Sequence, residues 1–108
     1  MKKRVLAVNT PDEVGKNITV AGWVHSRRDH GGLIFIDLRD HTGLVQLVIN
    51  PERLEAFRLA ESLRDEFVIR ASGMVTERGK GLKNPNIASG NVEIVVENLE
   101  ILNRAETL

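Results

Sequence analysis

Five segments of the chain have the residue pattern of β-strands, and one amphipathic segment separates the third from the fourth. The strand-like segments combine β-branched, aliphatic and aromatic residues, alternating or in short runs, between turn-forming residues. The amphipathic segment predicts a helix over residues 51–64, and Asn50-Pro51 suits an N-cap followed by the first helical position. We predict strands at residues 17–28, 33–39, 44–49, 66–77 and 92–102.

The order of these elements is that of the OB-fold. We therefore predict an all-β domain, a five-stranded Greek-key barrel with one helix between strands three and four. Gly22 in the first predicted strand and Gly73 in the fourth suit the bulges or bends that a curved barrel needs. OB-folds bind oligonucleotides or oligosaccharides on the face of their second and third strands, so we expect the functional site there.

Composition limits the classes of protein that fit this chain. Its 108 residues suit one domain, and 42% hydrophobic with 28% charged residues is ordinary for a globular protein. The absence of cysteine excludes disulfides, thiolate metal sites and thiol nucleophiles, and it fits a reducing cytoplasm. No apolar run could span a membrane, and no signal peptide pattern is present. We expect a cytoplasmic protein without a membrane partner, a metal or an active site, because no catalytic or phosphate-binding motif occurs.

The formal net charge is zero, but the charges are unevenly distributed along the chain. Residues 1–49 and 70–83 carry net charges of +2 and +3, whereas residues 50–66 and 84–108 carry −2 and −3. Zero net charge argues against coating nucleic acid by bulk electrostatics, so any nucleic-acid site must be a local surface. The positive segments contribute to such a surface only if they lie close together in the fold. The alternative is that the charges are scattered at random over the protein surface.

The second predicted strand places one aromatic side chain on the outside of the barrel. Its alternation assigns Ile34, Ile36 and Leu38 to the core and Phe35 to the outer face. An outward ring suits base stacking, worth roughly 1–3 kcal/mol per base, and the alternative is a ring covered by a neighbouring turn or loop. In the third predicted strand, Gln46 interrupts an aliphatic run. Its amide offers a donor and an acceptor to a base edge, or it is a polar residue of the barrel surface.

Two basic segments flank these candidates. Arg27 and Arg28 end the first predicted strand and suit phosphate pairing or stacking on a base, although a solvated strand end has the same composition. Residues 78–91 form a long loop rich in Gly, Asn, Lys and Pro, and such loops are usually functional or disordered. Its lysines suit phosphates and its asparagines suit base edges, or the asparagines form turns. The candidates in this loop are Lys80, Lys83 and Asn84.

The string GWVHSRRDHGGLIFIDLRD at residues 22–40, followed by GLVQ at 43–46, resembles the N-terminal anticodon-binding domain of bacterial aspartyl-tRNA synthetases. The similarity covers nearly the whole chain. Lysyl- and asparaginyl-tRNA synthetases share the fold, but this string is closer to the aspartyl type. The resemblance implies an OB-fold domain at residues 1–104 and the start of a hinge to a class II catalytic domain at 105–108. It implies no cofactor for this chain, with ATP and Mg²⁺ used in the catalytic domain.

The resemblance also implies roles for single residues. In this family the phenylalanine corresponding to Phe35 stacks on the central anticodon base, and the glutamine corresponding to Gln46 reads that base. The arginine corresponding to Arg28 contacts the third anticodon base, and the loop that contains Asn84 here lies near the first anticodon base. The implied partner is tRNA(Asp), bound by a homodimeric parent enzyme.

Two turn positions resemble one group within the family. Aspartyl enzymes that charge only their own tRNA tend to carry leucine in the turn after the first strand, whereas those that also charge tRNA(Asn) tend to carry His-Gly. This chain has His30-Gly31, and Gly81 in the long loop fits the same group. The resemblance therefore implies a non-discriminating enzyme, which works with a tRNA-dependent amidotransferase that converts misacylated Asp-tRNA(Asn).

Two other functions fit an OB-fold. The first is a stand-alone binding module, or a scaffold whose face has been redirected to a protein. The second is a structural module that only helps to hold a dimer. The presence of Phe35, Gln46 and Arg28 argues against redirection, because a face adapted to another ligand would change those positions first.

Overall fold

The computed structural model describes residues 3–104, whose strands form one sheet that closes on itself. The strand order is β1-β2-β3-β4-β6-β5, and β5 pairs with β2 to close the barrel. The β1–β2 and β4–β6 pairs are parallel, and the other pairs are antiparallel. The elements are β1 (Lys3–Arg4), a 3₁₀ helix (Ala7–Glu13), β2 (Asn17–His30), β3 (Leu33–Asp40), β4 (Gly43–Ile49), α1 (Leu54–Glu61), β5 (Val68–Glu77) and β6 (Val92–Asn103).

The predicted OB-fold is confirmed, with five long strands and one helix between the third and fourth of them. The predicted alternation of β3 is also confirmed, because Ile34, Ile36 and Leu38 are buried and Phe35 is only partly exposed on the other face. Within the described residues, no helix is long and apolar enough to cross a membrane. The predicted hinge at residues 105–108 lies outside the described residues.

The predicted start of the helix is wrong. The helix begins at Leu54, three residues after the predicted first position, and ends at Glu61. The N–H of Arg53 donates to the carbonyl of Asn50 at 3.0 Å, which closes a turn before the first helical bond from Phe57 to Arg53. No side chain caps the first turn of the helix. Asn-Pro suits a turn as well as a cap, so the sequence signal marks the turn here.

The predicted start of the fourth long strand is also too early. β5 begins at Val68, because Glu66 has a φ of +71° and therefore cannot continue an extended strand. The N–H of Glu66 donates to the carbonyl of Val24 at 2.8 Å, and this bond holds the preceding turn against β2.

The two glycines predicted at bends have different roles. Gly73 lies at the register shift in the β5–β6 pair, as predicted, whereas the shift in β2 falls between Val24 and Ser26 and not at Gly22. A Cβ atom at Gly22 would lie 2.2 Å from the carbonyl oxygen of Arg39, so this glycine permits the close approach of β3.

The 3₁₀ helix at Ala7–Glu13 is an element that no periodic pattern in the sequence predicts. It is attached to the barrel by Asp40, whose Oδ2 accepts the N–H of Ala7 at 2.8 Å while Oδ1 accepts the N–H of Thr42 at 2.8 Å. Burial favours a raised pKa for Asp40, but hydrogen bonds from the Thr42 hydroxyl and from the backbone of Ala7, Thr42 and Gly43 outweigh it and lower the pKa. The ionised carboxylate therefore stabilises the fold.

We expect Asp40→Asn to lower the free energy of unfolding by about 1–3 kcal/mol at neutral pH, because an amide accepts these bonds less strongly. Since the pKa of Asp40 is lowered on folding, its contribution is complete above the unfolded pKa of about 3.9 and is lost as the pH falls through the folded pKa. Urea unfolding at neutral pH and at about pH 3 measures both effects. A difference between the two proteins that stays constant over this range would contradict the role of the charge.

Candidate nucleic-acid interface

Five polar side chains form a continuous hydrogen-bonded group on the outside of the barrel, here called the polar network. The group crosses four neighbouring strands, with one or two members on each strand. Strand register brings them together, since Ser26 faces Asp37 across β2 and β3, and Asp37 faces Gln46 across β3 and β4. The members are Ser26, Arg28, Asp37, Gln46 and Glu93.

Asp37 and Arg28 form the centre of the polar network. Oδ2 of Asp37 accepts hydrogen bonds from Oγ of Ser26 and from Nη1 of Arg28, both at 2.8 Å. Nη2 of Arg28 then donates to Oε1 of Gln46 at 3.0 Å. Half of the Arg28 side chain remains exposed, so the guanidinium is held in place and is still accessible to a ligand.

Gln46 is held on both sides by the polar network. Its Oε1 accepts from Arg28, and its Nε2 donates to Oε1 of Glu93 at 2.9 Å. The side chain is buried, which fixes the direction in which the amide points. Among the described residues, no further hydrogen bond is seen for its second N–H and its second lone pair, which together match the donor–acceptor pair that a base edge requires.

Phe35 lies directly beside the polar network. It pairs with Arg28 across β2 and β3, and the guanidinium carbon of Arg28 lies 5.9 Å from the centre of its ring. A partly exposed ring next to fixed polar groups can stack on a planar ligand whose edge those groups contact.

Arg78 is a functional candidate that the sequence reasoning missed. It is buried, its Nε donates to the carbonyl of Val92 at 2.9 Å, and its Nη2 is buried without a hydrogen-bond partner among the described residues. Burial lowers the pKa of Arg78, while the charges of Glu93 and Asp37 act to raise it and that of Arg28 acts to lower it. Arg78 is therefore a fourth charged group at the polar network.

Glu93 was missed as well, for the same reason as Arg78, and the network members Ser26 and Asp37 were also not predicted. Alternation places Glu93 on the outside of a strand, and Arg78 stands at the start of a loop, where a charged residue is unremarkable. Only the parallel β4–β6 register brings β6 next to Gln46. With Arg28 and Asp37, these residues give two positive and two negative charges, so the centre of the site is electrically balanced.

Arg27 and Arg28 are adjacent in sequence but have different surroundings. Arg27 pairs with the core residue Ile36 and points away from the polar network. Its Nη1 donates to the carbonyl of Glu61 at the end of α1 at 2.6 Å, and its Nε and Nη2 both donate to Asp29 at 2.9 Å. The bonds to Asp29 raise the pKa of Arg27 and lower that of Asp29. This arginine fastens the β2–β3 hairpin to the helix, and an RNA contact would have to compete with these bonds.

The remaining predicted site residues lie on two exposed segments next to the polar network. His30 and Gly31 are at the tip of the β2–β3 hairpin, where Gly31 and Gly32 have φ values of +61° and +80° in a two-residue turn. Residues 78–91 form the predicted long loop, which begins at Arg78. The predicted site residues Lys80, Gly81 and Lys83 are among its exposed members.

Asn84 has the turn-forming role that the sequence left open. Its Oδ1 accepts the N–H of Asn86 at 3.0 Å, and its N–H donates to the carbonyl of Gly90 at 2.8 Å. Oγ of Ser89 also donates to the carbonyl of Leu44, which attaches the loop to β4. Asn84 therefore shapes the loop, and its amide nitrogen remains available to a ligand.

Comparison with known proteins agrees with this fold. Residues 18–102 match the family described as the OB-fold nucleic acid binding domain of the tRNA anticodon type, and the chain belongs to this family. It is 51% identical over 98 residues to the aspartate–tRNA(Asp/Asn) ligase of Moorella thermoacetica. That alignment covers 91% of this chain and 16% of the ligase. The resemblance to the anticodon-binding domain of aspartyl-tRNA synthetases is thereby confirmed.

Solved structures with the same fold include both RNA-related and protein-binding chains. Asparaginyl-tRNA synthetase from Pyrococcus horikoshii, complexed with asparaginyl-adenylate, matches with a TM-score of 0.79 and 30% identity over 97% of this chain and 23% of that one. OBody AM1L10, bound to hen egg-white lysozyme, matches with a TM-score of 0.77 and 26% identity over 96% of this chain and 97% of its own. The same barrel therefore also occurs in a chain that binds a protein.

Proposed function

We propose that this domain recognises the anticodon loop of tRNA within an aspartate–tRNA ligase that accepts both tRNA(Asp) and tRNA(Asn). The observation that carries the proposal is the pairing of Phe35 with a fixed Gln46 and an accessible Arg28 on one outer face. The 51% identity to a ligase named for both tRNAs supports the choice of RNA.

The central anticodon base of both tRNAs is uracil, which suits Phe35 and Gln46. The ring of Phe35 stacks on the base, because RNA recognition of unpaired bases uses aromatic platforms. The free N–H and lone pair of Gln46 then contact the edge of uracil, which carries both acceptors and a donor.

The proposed relaxed specificity rests on His30-Gly31 and Gly81, and the chemistry of Arg28 is compatible with it. The third anticodon base is C in tRNA(Asp) and U in tRNA(Asn), and these bases share the O2 acceptor but differ at position 4. A guanidinium only donates hydrogen bonds, so its contact with O2 accepts both bases. His30 and Gly31 at the hairpin tip, and Lys80, Gly81 and Lys83 on the loop, contact the surrounding RNA backbone.

The reaction of the parent protein is part of the same proposal. This chain spans 16% of the length of the ligase it matches, and we assign the joining of aspartate to tRNA, with its ATP and Mg²⁺, to the rest of such a protein. We also propose that the parent is a cytoplasmic homodimer. A tRNA-dependent amidotransferase then converts its Asp-tRNA(Asn) product to Asn-tRNA(Asn).

Titration with anticodon stem-loops tests this function. We expect stem-loops with C or U at the third anticodon position to bind within about threefold of each other, and replacement of the central U by A to weaken binding about tenfold or more. Affinity should fall with salt, because lysine and arginine contacts with phosphates release counterions. A preference for C over U above about tenfold contradicts relaxed specificity only. Equal binding of all loop sequences contradicts anticodon recognition.

A protein-binding module is the second candidate function, favoured by the OBody that binds lysozyme on the same fold. It predicts no binding to any stem-loop, whether or not the anticodon is correct. A module that only holds a dimer makes the same prediction, and the oligomeric state of this chain at low and high concentration separates the two.

A further inference from the structure

We infer that Asp37 is a positioning residue that prepares Arg28 for RNA, and this inference rests on the proposed function. An acidic side chain on a surface that binds a polyanion should weaken binding by charge repulsion. We propose the opposite effect for Asp37, because its contribution passes through Arg28.

The contacts of Asp37 explain this role. Its Oδ2 takes two donors, Ser26 and Arg28, both at 2.8 Å, and only a fifth of its side chain is exposed. The Ser26 hydroxyl fixes the carboxylate, and the carboxylate fixes Nη1 of the guanidinium. Arg28 is half exposed, so without this bond its long side chain would lose its strongest link to the protein surface.

The effect extends from Arg28 to the base-reading amide. Nη2 of Arg28 donates to Oε1 of Gln46, so the orientation of Arg28 helps to decide which way the amide of Gln46 faces. Arg28 also lies over the ring of Phe35 at 5.9 Å, next to the stacking surface. Asp37 therefore orients, through one arginine, the side chains that we assign to two anticodon bases.

The charges at the site also favour a role of Asp37 in holding Arg28 in place. Asp37 bonds to the guanidinium of Arg28, and its charge also acts on the buried guanidinium of Arg78. Removing the charge of Asp37 leaves Glu93 as the one carboxylate of the balanced group. The repulsion between Arg28 and Arg78 would then be less compensated, which weakens the hold on the position of Arg28.

A double-mutant cycle tests the inference on the 108-residue chain with an anticodon stem-loop carrying the central U. We expect Asp37→Asn to weaken binding about tenfold. In an Arg28→Ala background, the same substitution should have no further effect. Asp29→Asn is the matched control, because Asp29 is an acidic residue of the same hairpin that pairs with Arg27, and its removal should leave affinity unchanged or slightly raised.

A second readout does not depend on RNA. NMR of the guanidinium N–H groups should show a distinct, protected signal for Arg28 in the wild-type chain and an averaged one in Asp37→Asn. Three results would each overturn the inference. The first is unchanged or tighter RNA binding by Asp37→Asn, the second is an equal loss of affinity in the Arg28→Ala background, and the third is an unchanged Arg28 signal in Asp37→Asn. If the wild type binds no stem-loop, the proposed function fails, and the Arg28 signal alone then decides whether Asp37 positions this side chain.

Discussion

Substitution of Phe35 by alanine is expected to weaken binding of an anticodon stem-loop by about 1–3 kcal/mol, which is roughly 5- to 150-fold in Kd. The reason is the loss of the stacking surface beside the polar network, where Phe35 faces Arg28 across the β2–β3 pair. Because the ring is on the outer face and the inward side chains of β3 are unchanged, the variant should remain folded. Fluorescence anisotropy with a labelled stem-loop measures the loss, and thermal unfolding checks the fold.

Conservative variants separate stacking from simple hydrophobic contact. Phe35→Tyr keeps the π-face and should retain most of the affinity for the stem-loop. Phe35→Leu keeps the apolar volume without the π-face and should lose most of this affinity. Trp23→Ala is the control for position, because Trp23 is an exposed aromatic residue that pairs with Arg39 at the other end of the β2–β3 pair. If Phe35→Leu binds as tightly as the wild type, base stacking on this ring is refuted.

The largest loss of stability is expected from Gly73→Ala. A Cβ atom at this position would lie 2.0 Å from the carbonyl oxygen and 2.8 Å from the carbonyl carbon of Val95. Both are backbone atoms of the β5–β6 pair, so relief requires the strands to separate where their register already shifts. We expect the free energy of unfolding to fall by about 2–4 kcal/mol, with Tm lower by about 10 °C or more.

A second glycine provides a matched control for this prediction. Gly79 lies in the exposed loop, and an added Cβ atom would meet only the side chain of Leu82, at 3.4 Å. Gly79→Ala should therefore change the free energy of unfolding by less than about 0.5 kcal/mol. Urea unfolding of both variants compares the two sites, and similar stabilities would show that the close approach at Gly73 is not required.

The fold could be predicted because its signals are local. Period-two alternation in β3, apolar spacing in α1 and glycine-rich turns are all visible within a few residues, and their order identifies the barrel. The helix start at Asn50-Pro51 could not be located, because a turn and an N-cap favour the same residues. The 3₁₀ helix could not be predicted either, since it depends on a hydrogen bond from Ala7 to Asp40, distant in sequence.

The site could be predicted only in part, because it depends on strand register. Alternation alone identifies Phe35 as an outward residue. From buried Val24, however, strict alternation would point Arg27 outward and Arg28 inward. The extra residue His25, at the register shift between Val24 and Ser26, reverses this, so that Arg28 reaches the polar network and Arg27 reaches the helix. One bulge decides which arginine joins the polar network, and no local pattern reveals it.

The balanced charge at the centre of the site has a kinetic consequence. Arg28 and Arg78 are offset by Asp37 and Glu93, so this group exerts little attraction on a distant polyanion. We therefore expect the exposed lysines of the 78–91 loop to govern how fast RNA arrives, a rate that salt reduces. We expect the hydrogen bonds of the polar network and the ring of Phe35 to govern how long the correct anticodon stays bound, a lifetime that salt should change much less. Capture and discrimination are thus assigned to different residues and can be altered separately.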